Sequence, residues 1–360
     1  MGKDGFQWFV GVVEDRQDPQ KIGRVRVRCL GYHTEVHEDL KTEDLPWAHP
    51  MNPITSATIS GLGQTPLGPV EGTWVVGFFQ DGSEAQNPII MGTLPGVPGG
   101  LPTKGSDKGF QDFLNGNYPK YKDETDVNRL AVNDTNLPHP TLTLRKADRD
   151  IAVGVANTDA TTVVDDVVDA DDGTFWNEPE TPYAAQYPYN HVMETEGGHI
   201  KEYDDTVDNK RIHERHASGS GYEIFNDGTK VTRVKKDNYE IVSADEYCHI
   251  QGIARQTIDK GLRVKVNNLG QTSNNYTIEV GAGANVSVEV QNGDINLISQ
   301  LGDVNLKAGK NMNIDVAQAL NIKVGGAITE TSKSKTETAD ETHQMNANLQ
   351  DINGNKIELN

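Results

Sequence analysis

Alternating apolar and polar positions predict short β-strands in the first hundred residues. Residues 6–13 form an apolar run, and residues 74–79 and 87–92 form two more, separated by the hairpin-type turn Asp81-Gly82. Between residues 22 and 30 apolar and basic side chains alternate: Val25, Val27 and Cys29 against Arg24, Arg26 and Arg28. A period of two is typical of a half-buried strand. Four or five such strands predict a small barrel over residues 1–98, with the OB-fold as the natural candidate.

The pattern then changes twice. Residues 99–190 lack sustained periodicity, are rich in Gly and Pro near their start and carry an acidic stretch at 159–172, so we expect an extended connector. From residue 191 the alternation returns. Two apolar runs flank Asn226-Asp227-Gly228-Thr229, which predicts a hairpin.

An internal repeat occupies the next part of the chain, clearest over residues 276–326. Short apolar-x-apolar units begin at spacings of 9, 9, 8 and 8 residues. Their predicted core members are Val286, Val288, Ile295, Leu297, Val304, Leu306, Met312, Ile314, Leu320 and Ile322. Glycines punctuate the early units, as is typical of turns between repeats.

A unit of eight residues supplies about one strand and one turn, too little to close a core within one chain. Three chains wound together would supply three faces and would cover each other's strand edges. We therefore expect residues 191–360 to form an intertwined trimeric β-helix, a β-prism, with a C-terminal apex that includes a hairpin at Asn353-Gly354-Asn355. An antiparallel meander is the alternative. A calcium-binding nonapeptide repeat fits less well, because Asp directly follows Gly at 293–294 and 302–303.

Composition agrees with an elongated all-β protein. Only 35% of the 360 residues are hydrophobic, and 36 are Gly. The formal charge of -20 disfavours binding to nucleic acid or to anionic lipid. No apolar run approaches the ~18 residues of a membrane helix, and no signal core follows Met1. Cys29 and Cys248 are interpreted as buried free thiols.

Two stretches resemble a known family. The first comprises Gly11 to Arg16, Gly23 to Val27, Gly72 to Gly82 and Pro88 to Gly92, and it resembles the OB-fold of phage baseplate central spike proteins, a domain shared with type VI secretion valine-glycine repeat proteins. The second, Glu194 to Asp227-Gly228, is similar to the segment that leads into the β-helix of that family. The resemblance implies a homotrimer that docks on a baseplate hub at its OB-fold end.

Enzymatic chemistry is not predicted. Some phage members of the family carry a lysozyme domain after the OB-fold, but the interval here is short and rich in Pro and Gly. Glu178 and Glu180 are neighbouring acids that we interpret as solvated rather than as a glycosidase pair. His213 and His216 lack an obvious third metal ligand, and His199 is expected to make a structural hydrogen bond. His343 is a lone candidate metal ligand without the His-x-His pair found at some spike tips. No catalytic residue, cofactor or metal is predicted.

The interpretation that follows is mechanical. A central spike of a contractile phage tail would dock through its OB-fold, with Arg24, Arg26 and Arg28 as candidate hub contacts, and would pierce the host outer envelope with its needle. A small tip-capping protein is a further expected partner, and the location is the tail baseplate of the virion, assembled in the host cytoplasm. Two alternatives remain open: a trimeric β-helical depolymerase that acts on surface glycans, and a type VI secretion spike. A nucleic-acid-binding OB protein is disfavoured by the acidity.

Overall fold

The computed structural model describes residues 7–106, 108–133, 179, 181–258, 260–266, 276–340 and 342–347, and only the backbone of residues 167–168 and 175–176. The chain divides into two compact units, Met1–Val264 and Lys265–Asn360. The acidic stretch near residue 165, Glu178, Glu180 and the terminal hairpin at residues 353–355 lie outside the described residues. Within the described part of the chain, no helix is long and apolar enough to cross a bilayer.

The first unit begins with a closed five-stranded barrel. Its strands are β1 (Gln7–Asp15), β2 (Val25–Cys29), β3 (Trp47–Pro50), β4 (Trp74–Phe79) and β5 (Pro88–Thr93). They close in the order β1-β2-β3-β5-β4, with β3 and β5 parallel and the other pairs antiparallel. The predicted all-β barrel with OB topology is confirmed. The sequence pattern did not locate β3, because this four-residue strand ends at a proline and shows no alternation.

The barrel core includes the inward side chains that the alternation predicted for β2. Val25, Val27 and Cys29 of β2 are buried, and Phe9 of β1 packs against Phe79 of β4 with ring centroids 4.9 Å apart. The remaining core members are Val13, Ala48, Val75 and Ile90. On β4, Gly77 allows close packing, because a Cβ there would lie 2.0 Å from the carbonyl oxygen of Ile89. The barrel therefore buries an apolar core within one chain.

Two 3-10 turns, Thr42–Asp44 and Gly82–Glu84, lie within the barrel, in the β2–β3 and β4–β5 connections. Between the barrel and a second sheet the chain contains a one-turn helix α1 (Arg129–Val132) and a strand pair, β6 (Val167–Val168) and β7 (Phe175–Trp176). The second sheet is an antiparallel meander of β8 (Asn190–Glu194), β9 (Ile200–Asp204), β10 (Arg211–Arg215), β11 (Gly221–Ile224) and β12 (Lys230–Arg233).

The predicted hairpin joins β11 to β12. Asp227 accepts a hydrogen bond from the Thr229 amide at 2.8 Å, and Gly228 has φ of +87°, a conformation that favours glycine. The described residues after β12 form no strand. The trimeric β-helix and the boundaries 1–98, 99–190 and 191–360 stay predictions.

Candidate assembly surfaces

The arginine face of β2 is occupied by partners from the same chain. Arg28 is fully buried, and its Nε donates to Oε1 of Glu14 at 2.5 Å. Its two Nη atoms donate to the carbonyl oxygens of Thr34 and Leu40, each at 2.7 Å. A buried ion pair is tolerated only where hydrogen bonds satisfy the remaining donors, as they do here. The predicted basic stripe placed Arg28 on the surface, and the structure instead buries it.

Glu14 and Arg28 also fix the loop that follows β2. The Thr42 hydroxyl donates to Oε2 of Glu14 at 2.7 Å, and the ring of His37 lies within the same buried cluster. Burial lowers the pKa of His37, which favours the neutral ring. That ring stacks on Phe113 of the connector with centroids 3.7 Å apart, so the connector packs on the barrel.

Arg24 and Arg26 lie nearer the surface but are also paired. Arg24 donates to Asp18 Oδ1 at 2.7 Å, and this hydrogen bond, with those from nearby backbone amides, holds the pKa of Asp18 well below its usual range. Arg26 donates to the Leu45 carbonyl at 2.7 Å and covers the ring of Trp47 at 4.5 Å. Trp47 comes from β3 by cross-strand pairing, so the sequence pattern along β2 did not reveal it. The role of these arginines at a hub stays a prediction.

An ion-pair junction joins the barrel to the second sheet. Arg16, just after β1, donates to both carboxylate oxygens of Glu196, at 2.7 and 3.2 Å, and its Nε lies 3.3 Å from Glu71. The hydroxyl of Tyr118 also donates to Glu196, at 2.7 Å. Arg16 and Tyr118 lower the pKa of Glu196, while burial and then Glu196 raise that of Tyr118. The carboxylate therefore stays ionised and holds barrel, connector and sheet together.

A buried polar network covers one face of the second sheet. Oε1 of Glu202 accepts a hydrogen bond from Arg211 at 2.8 Å, and Oε2 of Glu202 lies 2.6 Å from Nδ1 of His213. Arg211 also donates a hydrogen bond to Glu223 at 2.8 Å. His216 lies apart, beside His199, with ring centroids 4.5 Å apart. The predicted structural role of His199 is visible in a 3.4 Å hydrogen bond from the Ala217 amide.

In the described ranges, no group of three or more His, Cys, Asp or Glu is arranged to hold a metal ion. His343 is half-exposed, and its Nε2 lies 3.6 Å from Glu337.

Rows of exposed apolar side chains run along the second unit. All ten predicted core residues of the repeat have between 54% and 74% of their surface exposed in the single chain. The alternation also extends to third members of the units and to an earlier unit, all exposed and not singled out from the sequence: Val290, Val316, Val324, Tyr276, Ile278 and Val280. Cys248, interpreted as buried, is exposed, whereas burial raises the pKa of Cys29 to about 12.

The closed five-stranded barrel places this chain in the class of OB-fold proteins. Residues 32–171 match the family model of the Gp5 N-terminal OB domain. The chain is 39% identical over 286 residues to Protein Gp5 of Vibrio phage KVP40, an alignment that covers 72% of this chain and 64% of that protein. It is 44% identical over 142 residues, 38% of its length, to the pre-baseplate central spike protein Gp5 of Enterobacteria phage T4, of which 22% is covered.

These matches confirm the resemblance to phage baseplate central spike proteins. The chain spans less than two thirds of the length of either relative.

Proposed function

We propose that this chain is the structural central spike of a contractile phage tail baseplate. Three copies assemble, dock on the hub through their OB-folds and pierce the host outer envelope with a β-helical needle during contraction. The protein acts in the virion, in the tail baseplate. It is not an enzyme and needs no cofactor.

The observation that carries this proposal is the exposed apolar rows. A large exposed apolar surface on a single chain marks an interaction site, and here it recurs at every repeat unit from Tyr276 to Val324. The described residues of this segment form no strand within the chain. Their backbone groups therefore make no ladder with the same chain, and a ladder with other copies would satisfy them. Burial of each Val, Leu or Ile side chain is worth about 1.5–3 kcal/mol.

The mechanical role follows from such an assembly. Chains that wind around each other pair every strand edge and interlock, so that unfolding becomes slow. A stiff rod of this kind transmits the force of a contracting sheath without any chemical step. A small tip-capping protein at the apex is part of the proposal, and nucleic acid is not a partner.

Two other functions are less well supported. A glycan depolymerase needs a groove with carboxylates and aromatic platforms, and no Phe, Trp or Tyr follows Tyr276. A type VI secretion spike would share the OB-fold and needle, but the relatives found are phage proteins.

Light scattering tests the proposal. The purified chain should have a mass near three times 39.4 kDa, and the trimer should persist in SDS at room temperature and separate on boiling. A monomer under native conditions would contradict the spike, and a trimer that dissociates in cold SDS would contradict the interlocked needle.

A further inference from the structure

Three polar side chains meet on the buried face of the second sheet. Asp204 of β9 pairs directly with Asn190 of β8 on one side and with Arg211 of β10 on the other. Directly paired residues of neighbouring strands place their side chains on the same face of a sheet. None of the three is more than 4% exposed in the single chain. Asn190, Asp204 and Arg211 are here named the cross-strand triplet.

Each member of the cross-strand triplet has one buried polar atom that the chain does not satisfy. Within the described residues, Oδ1 of Asn190, Oδ2 of Asp204 and Nε of Arg211 have no hydrogen-bond partner. Other atoms of the same side chains are bonded. Nδ2 of Asn190 donates to the Leu130 carbonyl at 3.0 Å, and Oδ1 of Asp204 accepts from the Thr206 amide at 3.0 Å. Rotating either side chain to satisfy its free atom would therefore break a bond that it already makes.

Residues of the connector cover the cross-strand triplet. The guanidinium of Arg211 lies over the ring of Tyr183 at 5.0 Å, and the Tyr183 hydroxyl donates to the Leu130 carbonyl of α1 at 2.8 Å. Nη2 of Arg211 lies 4.0 Å from Oδ2 of Asp204, which is beyond hydrogen-bond reach. Buried polar atoms that neither the chain nor bulk solvent satisfies are costly, and ordered ligands usually satisfy them.

The chemistry of the three free atoms selects the ligand. Two are acceptors, an amide oxygen and a carboxylate oxygen, and the third is an N–H donor. A metal cation would face the N–H of Arg211, and an anion would face the carboxylate of Asp204, so each would meet a repulsive group. An ammonium ion has no lone pair for Arg211, and an alcohol has only one proton for two acceptors. A water molecule supplies two protons and a lone pair.

We propose that the cross-strand triplet binds one water molecule that bridges β8, β9 and β10. The water donates to Oδ1 of Asn190 and to Oδ2 of Asp204, and it accepts from Nε of Arg211. Three hydrogen bonds are typical of a buried water. Because Asn190 also holds the Leu130 carbonyl of α1, the water links the attachment of the connector to the charged network of the sheet. All of its ligands come from one chain, so the site does not depend on the proposed trimer.

A crystal structure of the full chain, at a resolution that shows ordered waters, tests the inference. We expect one density peak in every copy, about 2.7–3.2 Å from each of the three atoms. The absence of a peak, or a direct bond from Nε of Arg211 to Oδ2 of Asp204, would overturn the inference. A peak at the shorter distances of about 2.0–2.6 Å from several oxygen atoms would indicate a metal ion and would also overturn it.

A pair of variants extends the test to solution. Asn190→Leu removes one acceptor with little change in side-chain size, and the control His191→Leu changes the next residue of β8, which is exposed. Water-deuteron relaxation dispersion counts the long-lived internal waters. We expect one fewer per chain in Asn190→Leu than in His191→Leu, and a direct Arg211–Asp204 bond in the crystal structure of Asn190→Leu. Equal counts, or a water that keeps its other two contacts in Asn190→Leu, would contradict the three-way bridge.

Discussion

The barrel and the C-terminal repeat use the same alternation of apolar and polar residues with opposite results. In β2 the apolar members Val25 and Val27 are buried in the chain's own core, whereas in the repeat Val304 and Leu306 are exposed. The difference lies in chain connectivity. The barrel's turns and crossovers bring five strands together in one chain. A unit of eight or nine residues supplies only about one strand and one turn, which is too little to cover its apolar side chains within the same chain. Alternation alone therefore predicts a buried face but not which chain covers it.

The largest expected effect comes from placing a charge in the repeat, a change that should act on the repeat and leave the barrel intact. Val304→Asp would put three carboxylates inside the proposed needle, and each buried unpaired charge costs several kcal/mol. We expect loss of the SDS-resistant trimer while the barrel's thermal transition remains. The control is Asn305→Asp, one residue away on the opposite face of the unit. An SDS-resistant Val304→Asp trimer would show that these side chains do not form an inner core.

A second change attacks the barrel alone. Arg28→Ala leaves Glu14 buried without its cation, and breaking such a pair costs about 3–5 kcal/mol. Calorimetry should show a lower melting temperature for the barrel, and gel electrophoresis in SDS should show an unchanged trimer. The double variant Arg28→Met with Glu14→Leu removes both charges, and we expect it to recover most of the loss. If Arg28→Ala unfolds with wild-type stability, the ion pair does not hold the barrel.

Sequence reasoning located the strands with strong local signals and missed contacts made by distant segments. The alternation found β2, and Asn226-Asp227-Gly228-Thr229 found the β11–β12 hairpin. Alternation placed Arg28 opposite the core but gave no sign of Glu14, Thr34 and Leu40, which bury it from other parts of the chain. The short strand β3 and the Arg16–Glu196 junction, 180 residues apart, likewise depend on the tertiary fold.

A third prediction concerns the acid sensitivity of the barrel. The pKa of Asp18 is lowered in the folded chain, chiefly by the side chain of Arg24. The contribution of the ionised Asp18 side chain to folding stability is therefore fully present above the unfolded pKa of about 3.9, and it is lost as pH falls toward the folded pKa. Asp18→Asn should cost about 1–3 kcal/mol near neutral pH. In melts from pH 6 to pH 2, the gap in barrel melting temperature between wild type and variant should narrow as pH falls. A gap that stays constant with pH would contradict this role.

The smallest expected effect comes from a change at the junction between the barrel and the second sheet, which tests whether the two depend on each other for stability. Glu196→Gln weakens the junction with Arg16 and Tyr118. Because Arg16 and Glu196 are 34% and 44% exposed, solvent screens the pair, and we expect a loss of only about 0.5–1 kcal/mol. The matched control is Glu43→Gln, which breaks the more exposed and local pair with Lys41.

The readout is the order of unfolding rather than total stability. If the junction couples barrel and sheet, Glu196→Gln should raise hydrogen exchange in β8 and β9 and leave the barrel core protected, while Glu43→Gln changes neither. Exchange that rises equally in the barrel core would mean that the barrel depends on the sheet. The boundary between the self-contained part of the chain and the repeat with exposed apolar side chains would then lie after the second sheet rather than after β5.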